Sequence, residues 1–114
     1  MKLSVLFFLG FVSFPAFSEF LDCIGGYNIK SVYVGSDREG GHFFENKLIV
    51  ILNKNCAGKK YVTSDLIDNP AFDSFLSTAI SAKISGKNIE VGVNTSNGKE
   101  TKLSNDIAYI GIVD

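Results

Sequence analysis

The stretch NPAFDSFLSTAISAKISGKNIEVGV, residues 69–93, decides how the rest of the chain is arranged. Asn69 before Pro70 reads as an N-cap and a first helical residue, because proline lacks the N–H that would be orphaned there. Phe72, Phe75, Leu76, Ala79, Ile80 and Ile84 recur at three- and four-residue spacing and predict one apolar helix face. Asp73 in the first turn and Lys83 near the last suit the helix dipole. Gly86 supplies a left-handed C′ residue, and the alternation Ile89, Val91, Val93 predicts a strand immediately after it. The opposite face carries Ser74, Ser77, Thr78, Ser81 and Ser85, whereas a solvated helix usually mixes Glu, Lys and Arg there. Small uncharged side chains suit close approach to another surface, so these five residues are a candidate oligomer face. A plain exposed face is the competing reading.

The chain opens with Met1-Lys2, an apolar run from Leu3 to Phe14, and then Ala16 and Ser18 at the small-residue positions of a cleavage site. Residues 1–18 therefore read as a signal peptide, with 19–114 as a single exported domain, periplasmic or secreted. The apolar run falls short of the roughly 20 residues a membrane span needs, so no span is expected after processing. Removal of Lys2 with the leader leaves ten basic against twelve acidic residues, a balance that argues against nucleic acid or anionic membranes as partners. Cys23 and Cys56 are the only cysteines, and an even pair in an exported chain reads as a disulfide. Closing the loop between them would contribute roughly 3–4 kcal/mol in the chain-entropy model. A metal or thiol role lacks companions, because the chain holds one histidine, His42.

Around the helix the chain reads as strands. Ile24-Gly25-Gly26 is a flexible lead-in, and Tyr27 to Val34 shifts its alternation in mid-run, which predicts a bulge or strong bend. Gly35 to His42 is a turn, and Phe43-Phe44 start a second strand whose run Leu48 to Leu52 is buried on both faces or crosses the core centre. Asn53 to Gly58 turns into a third strand, Lys59 to Thr63. After the helix and its strand, Ser96-Asn97-Gly98-Lys99 signals a hairpin, with Glu100 to Leu103 pairing back. Ser104-Asn105-Asp106 turns again before a last strand, Ile107 to Val113. The expected class is mainly β with one helix (α+β): a small Greek-key OB-like barrel, its helix between strands 3 and 4. A helix packed on an open antiparallel sheet is the runner-up.

Catalytic chemistry finds little to work with. A serine-type hydrolase needs a base, and His42 sits in a Gly-rich turn beside Phe43. Asp65, Asp68 and Asp73 lie where the approach to a helix favours acidic residues anyway. No EF-hand loop, phosphate-cradling glycines or clustered metal ligands appear, and no cofactor is expected. Asn94-Thr95-Ser96 matches a glycosylation sequon. Binding is the other route: Tyr27, Tyr33, Arg38, His42, Phe43 and Tyr61 are of the types that stack on or orient sugars and peptides, although each taken alone reads first as packing in the core or covering its edge.

The pattern Pro70-Ala71-Phe72, Phe75-Leu76, Ala79, Ser85-Gly86-Lys87 and Ile89-Glu90-Val91 resembles the helix-to-strand segment of the pertussis-type AB5 toxin B subunits. Subtilase cytotoxin and typhoid toxin B subunits share it. Cys23-Ile24-Gly25 leading to Ile29, Val32 and Val34 resembles their first strand, and Ile107 to Ile112 their closing strand. The resemblance implies an OB-fold barrel, a ring of five with helices about a pore, a glycan-binding surface and an A-type toxin subunit as partner. In sialic-acid-binding members a serine before the first strand makes a key contact, and Gly25 aligns there, followed by Gly26 and Tyr27. Gly25, Gly26, Tyr27 and Arg38 are the candidate ligand contacts. The sialic-acid site itself is not carried over, because that serine is missing and Thr95 to Lys102 holds no aromatic residue. The expected function is an exported, non-enzymatic module recognising host-surface glycans. A monomeric periplasmic structural or inhibitor protein is the alternative, and a small hydrolase comes third.

Overall fold

The computed structural model describes residues 20–113; the expected signal peptide lies outside them. The elements run β1 (Phe20–Tyr27), β2 (Ile29–Gly35), β3 (Lys47–Cys56), β4 (Lys59–Asp65), α1 (Phe72–Ser85), β5 (Asn88–Asn94) and β6 (Ser104–Val113). The protein is mainly β with one helix. Its six strands form one sheet in the order β1-β5-β6-β4-β3-β2, antiparallel except for the parallel pair β4–β6. The two edge strands, β1 and β2, follow one another in the chain with only Asn28 between them.

The expected irregularity in the first strand is present, and it is larger than the sequence indicated. The β1–β5 register shifts between Cys23 and Tyr27, and the β2–β3 register shifts between Ile29 and Ser31. Gly25 and Gly26, expected as a flexible lead-in, belong to β1 and occupy positive φ (97° and 76°), which a side chain would oppose. Five contacts pin this bend to the end of β3. Tyr27 Oη donates to the Asn55 carbonyl at 2.8 Å, Asn53 Nδ2 to the Gly26 carbonyl at 3.0 Å, and Lys54 Nζ to the Gly25 carbonyl at 2.8 Å. The Asn28 N–H donates to Asn53 Oδ1, and the Asn53 N–H to the Asn28 carbonyl. The disulfide Cys23–Cys56 joins the same two segments, and both of its residues are buried. β3 itself runs on to Cys56, so the turn into β4 is only Ala57-Gly58, both at positive φ as a two-residue hairpin demands.

Leu48, Val50 and Leu52 of β3, Val62 of β4 and Ile89, Val91 and Val93 of β5 face one core, which α1 covers with Phe72, Ala79 and Ala82. Phe75 and Leu76 pack against it. The expected inward stripe is therefore correct at its start and wrong at its end: Ile80 is 42% and Ile84 81% exposed. The helix is rotated so that Ala79 and Ala82 meet the sheet, because small side chains let its backbone approach where isoleucine would hold it away. Ile80 and Ile84 thus join the outward side, near Ser77 and Ser81, which are exposed like Ser74 and Ser85; Thr78 is half-buried. The helix begins at Phe72. Asn69 acts just ahead of it, its Oδ1 accepting from the Ala71 N–H, and Gly86 ends it at φ 71°.

Two further expectations fail. Glu100 to Leu103 do not pair back as a strand, and Ser104-Asn105-Asp106 are not a turn but the buried start of β6. They lie in register with Tyr61, Val62 and Thr63 of the parallel pair. Polar residues survive burial there because each finds a partner. Thr63 and Ser104 hydroxyls meet at 3.1 Å, and Asn105 Nδ2 donates to the Cys56 and Ala57 carbonyls. No helix among the described residues is long and apolar enough to cross a membrane.

On the far side of β5, Tyr109 lies across Gly92, where an added Cβ would fall within its ring. Its Oη donates to Asp22 Oδ1 at 2.7 Å, tying β6 to the edge strand β1 over β5. That bond to a carboxylate pushes the phenol up from 10.0 to about 12, with smaller contributions from burial and from the charges of Asp22 and Glu90. Because the folded value lies above the ordinary one, the stabilisation is whole below pH 10.0 and is lost as pH rises through about 12. Gly92→Ala should displace the ring, break the bond to Asp22 and return one tyrosine in an ultraviolet titration towards 10.0. In urea unfolding, Ala79→Leu should destabilise by about 1–3 kcal/mol by overpacking. At a concentration where the protein is monomeric, Ile84→Ser should stay within about 0.5 kcal/mol of wild type.

Candidate functional site

The outward face of β2, β3 and β4 is not bare. Tyr33 stands opposite Ile49 in the register, and Ile51 opposite Tyr61, which lines up an apolar and aromatic strip across three strands. Residues 36–46 fold back beside this strip. Phe43 and Phe44, expected to open the second strand, lie in this connection instead, because the chain turns there before β3 begins at Lys47. Phe44 stacks on Tyr61 with ring centroids 5.4 Å apart, and Phe43 meets Phe44 edge-on at 5.1 Å. His42 closes the cluster against Phe43 at 4.4 Å, its Nδ1 accepting from the Phe44 N–H.

The connection is held by its own polar groups. Asn46 Nδ2 donates to Asp37 Oδ1 at 2.8 Å, the Arg38 N–H to Glu45 Oε1 at 3.1 Å, and the Gly41 N–H to the Arg38 carbonyl at 2.8 Å. The Asn46 N–H donates back to the Ser36 carbonyl. Strip and connection together enclose an open groove of about 500 Å³, with Tyr33, Phe44, Tyr61 and Ile51 on its apolar side and Asp37 and Arg38 at its polar end. Tyr33 is 58% exposed. The Arg38 guanidinium makes no hydrogen bond or ion pair among the described residues, so its donors are available to a ligand.

The structure separates the four residues read as ligand contacts. Arg38 lines the groove, beyond the C-terminal end of β2. Gly25, Gly26 and Tyr27 lie before its N-terminal end, with the two glycine carbonyls and the Tyr27 hydroxyl bonded to residues 53–55. The Lys54 ammonium also sits 4.5 Å from the Tyr27 ring centroid. Of the aromatic residues singled out by type, Tyr33 and Tyr61 line the groove, and His42 and Phe43 support its wall. Phe44 carries the wall but was read only as part of a strand. No spacing rule links it to Tyr61, since the path of residues 36–46 back beside the sheet decides that meeting.

Neither cysteine is free, and no three His, Cys, Asp or Glu side chains among the described residues gather closely enough to hold a metal ion. Asn94 of the sequon is half-buried, with its amide donating to Asp106 Oδ2. No protein-family model and no curated protein matches the sequence. If the Phe44–Tyr61 stack holds the connection in place, Tyr61→Ala should speed hydrogen exchange at the Gly41 and Asn46 amides. Exchange at Val50 in the core should be unchanged.

Proposed function

We propose that the chain is an exported, non-enzymatic binding module, built as a small OB-like barrel, that recognises host-surface glycans through the groove beside β2, β3 and β4. The observation that carries this reading is the groove itself: exposed and stacked aromatic rings line it together with Arg38, whose guanidinium has no partner among the described residues and whose connection is already fixed by its own hydrogen bonds. Aromatic faces pack against the C–H side of sugar rings, while a planar array of donors orients ring oxygens or an acidic substituent. A site ordered before binding loses less entropy when the ligand arrives.

The barrel is supported by the strand order, which places two consecutive pieces of chain at opposite edges of one sheet. The helix follows four strands, not three, and fits the expected place between strands 3 and 4 only when β1 and β2 are counted as one bent strand. OB barrels bind oligosaccharides and oligonucleotides on the comparable face, next to the connection between their first two strands. The acidic charge balance favours the sugar. Self-assembly belongs to the same reading, as a ring with an A-type subunit in the proteins it resembles. The outward helix face supports it, because Ile80 and Ile84 stand exposed among Ser74, Ser77, Ser81 and Ser85 with Lys83 and Asp73 as the charges on that helix.

Binding to an immobilised glycan array should reveal at least one family of ligands. Tyr61→Ala and Arg38→Ala should each weaken that binding by roughly tenfold or more, the loss expected for a stacked ring or a charge-assisted hydrogen bond. An array without a single ligand, or binding indifferent to both substitutions, would remove the glycan reading and favour a protein partner.

A further inference from the structure

A second depression, about 350 Å³ in volume, lies between the approach to α1 and the β5–β6 connection. Asp106 forms part of its wall, with Asn94, Asn97, Lys99 and Asp68 around it and Phe75 among its apolar residues. Lys47 marks the boundary with the groove: it is in register with Gly35, which lines the groove, and with Asp65, which lines this pocket.

Asp106 is the unusual member. It is only 6% exposed, and no cationic side chain among the described residues pairs with it. Its Oδ2 accepts from Asn94 Nδ2 at 3.1 Å and from Asn97 Nδ2 at 2.9 Å, whereas its Oδ1 has no hydrogen-bond partner among the described residues. Every fully buried side-chain oxygen and nitrogen among them is hydrogen-bonded, so unpartnered Oδ1 is not fully buried, and Asp106 lines the pocket. A carboxylate withdrawn from water without a basic partner is costly, and a donor arriving from outside would offset that cost.

The surroundings select the donor. The carboxylates are too dispersed to cage a hard cation. Lys99 offers an ammonium, Asn97 and Asn94 orient the acceptor, and Phe75 with Ala108 gives apolar ground. A neutral, hydroxyl-rich ring suits that combination. One hydroxyl donates to Asp106 Oδ1, a neighbouring oxygen accepts from Lys99, and the C–H face rests on apolar carbon. The geometry points to this pocket as a second binding site, distinct from the groove, for a neutral hexose unit.

The test is titration of ¹⁵N-labelled protein with the methyl glycosides of glucose, galactose and mannose, followed by nuclear magnetic resonance. At least one should shift the side-chain amides of Asn94 and Asn97 and the backbone amides of Lys99 and Ala108, with saturation. Asp106→Asn should weaken that binding by roughly tenfold or more, as for loss of one charge-assisted hydrogen bond. Should Asp106→Asn disturb folding, Lys99→Ala at the exposed rim should still weaken binding severalfold while the core spectrum stays unchanged. Tyr61→Ala should leave these shifts intact, which keeps the outcome separate from that of the groove. No shift at these amides with any of the three glycosides, or affinity unchanged in Lys99→Ala, overturns the assignment. A response to calcium chloride or ethylammonium in place of the glycosides overturns it in favour of a cation site.

Discussion

One run of chain, Phe20–Gly35, supplies both edges of the sheet, and the change of partner at Asn28 constrains everything else. Before the bend, Tyr27 is in register with Ile89 of β5; after it, Ile29 is in register with Leu52 of β3. A strand cannot change neighbours without leaving backbone groups unpaired, and buried unpaired groups are expensive. The end of β3 meets that need with side chains. Asn53 works on both sides of the bend, donating from Nδ2 to Gly26 and accepting at Oδ1 from Asn28, while Lys54 covers Gly25. The Cys23–Cys56 bond fixes the distance between the two segments. With the bend held, the groove face and the face bearing Tyr109 belong to one folded unit.

The second constraint is the parallel pair at the centre. β4 and β6 are in register at only three positions, from Tyr61–Ser104 to Thr63–Asp106, and the residues there are largely polar and buried. Hydroxyls bond across it, Asn105 reaches the Ala57 turn, and Asn69 Nδ2 reaches Ser64 Oγ from the approach to α1. This central polar seam is better specified than an apolar one, because each group has a particular partner. It also places Asp106 where two asparagine amides converge on one of its oxygens.

Much of this was legible in the sequence wherever a local rule governs. Gly86 ends the helix as its position required, Ile89, Val91 and Val93 alternate into the core, and the two cysteines pair. The errors share a cause. Ile84 was placed inside because isoleucine outweighs alanine in an apolar pattern, yet closeness of packing selected Ala82. Ser104-Asn105-Asp106 read as a turn because polarity is the usual mark of one, yet Ser104 meets Thr63 as well as its neighbour Thr101, and both acceptors of the Asn105 amide, Cys56 and Ala57, lie far back in the chain. The candidate site was legible only in part. Tyr33, Arg38 and Tyr61 could be chosen by chemical type, but their meeting with Phe44 depends on how residues 36–46 fold back beside the sheet, and Gly25, Gly26 and Tyr27 serve the bend.

The same bend sets the order in which the domain can assemble. Pairing β1 with β5 brings Phe20 to Asn94 across most of the chain, the type of contact whose loop-closure entropy slows folding. β2, β3 and β4 are consecutive in the chain, joined by residues 36–46 and by the two-residue turn Ala57-Gly58, and can form as a meander first. Oxidation of Cys23 with Cys56 at that stage tethers β1 to the meander before its own partner strand has arrived. The search for β5 then starts from a strand already anchored to the meander. A disulfide formed at that stage would in this way shorten a long loop closure as well as strengthen its product.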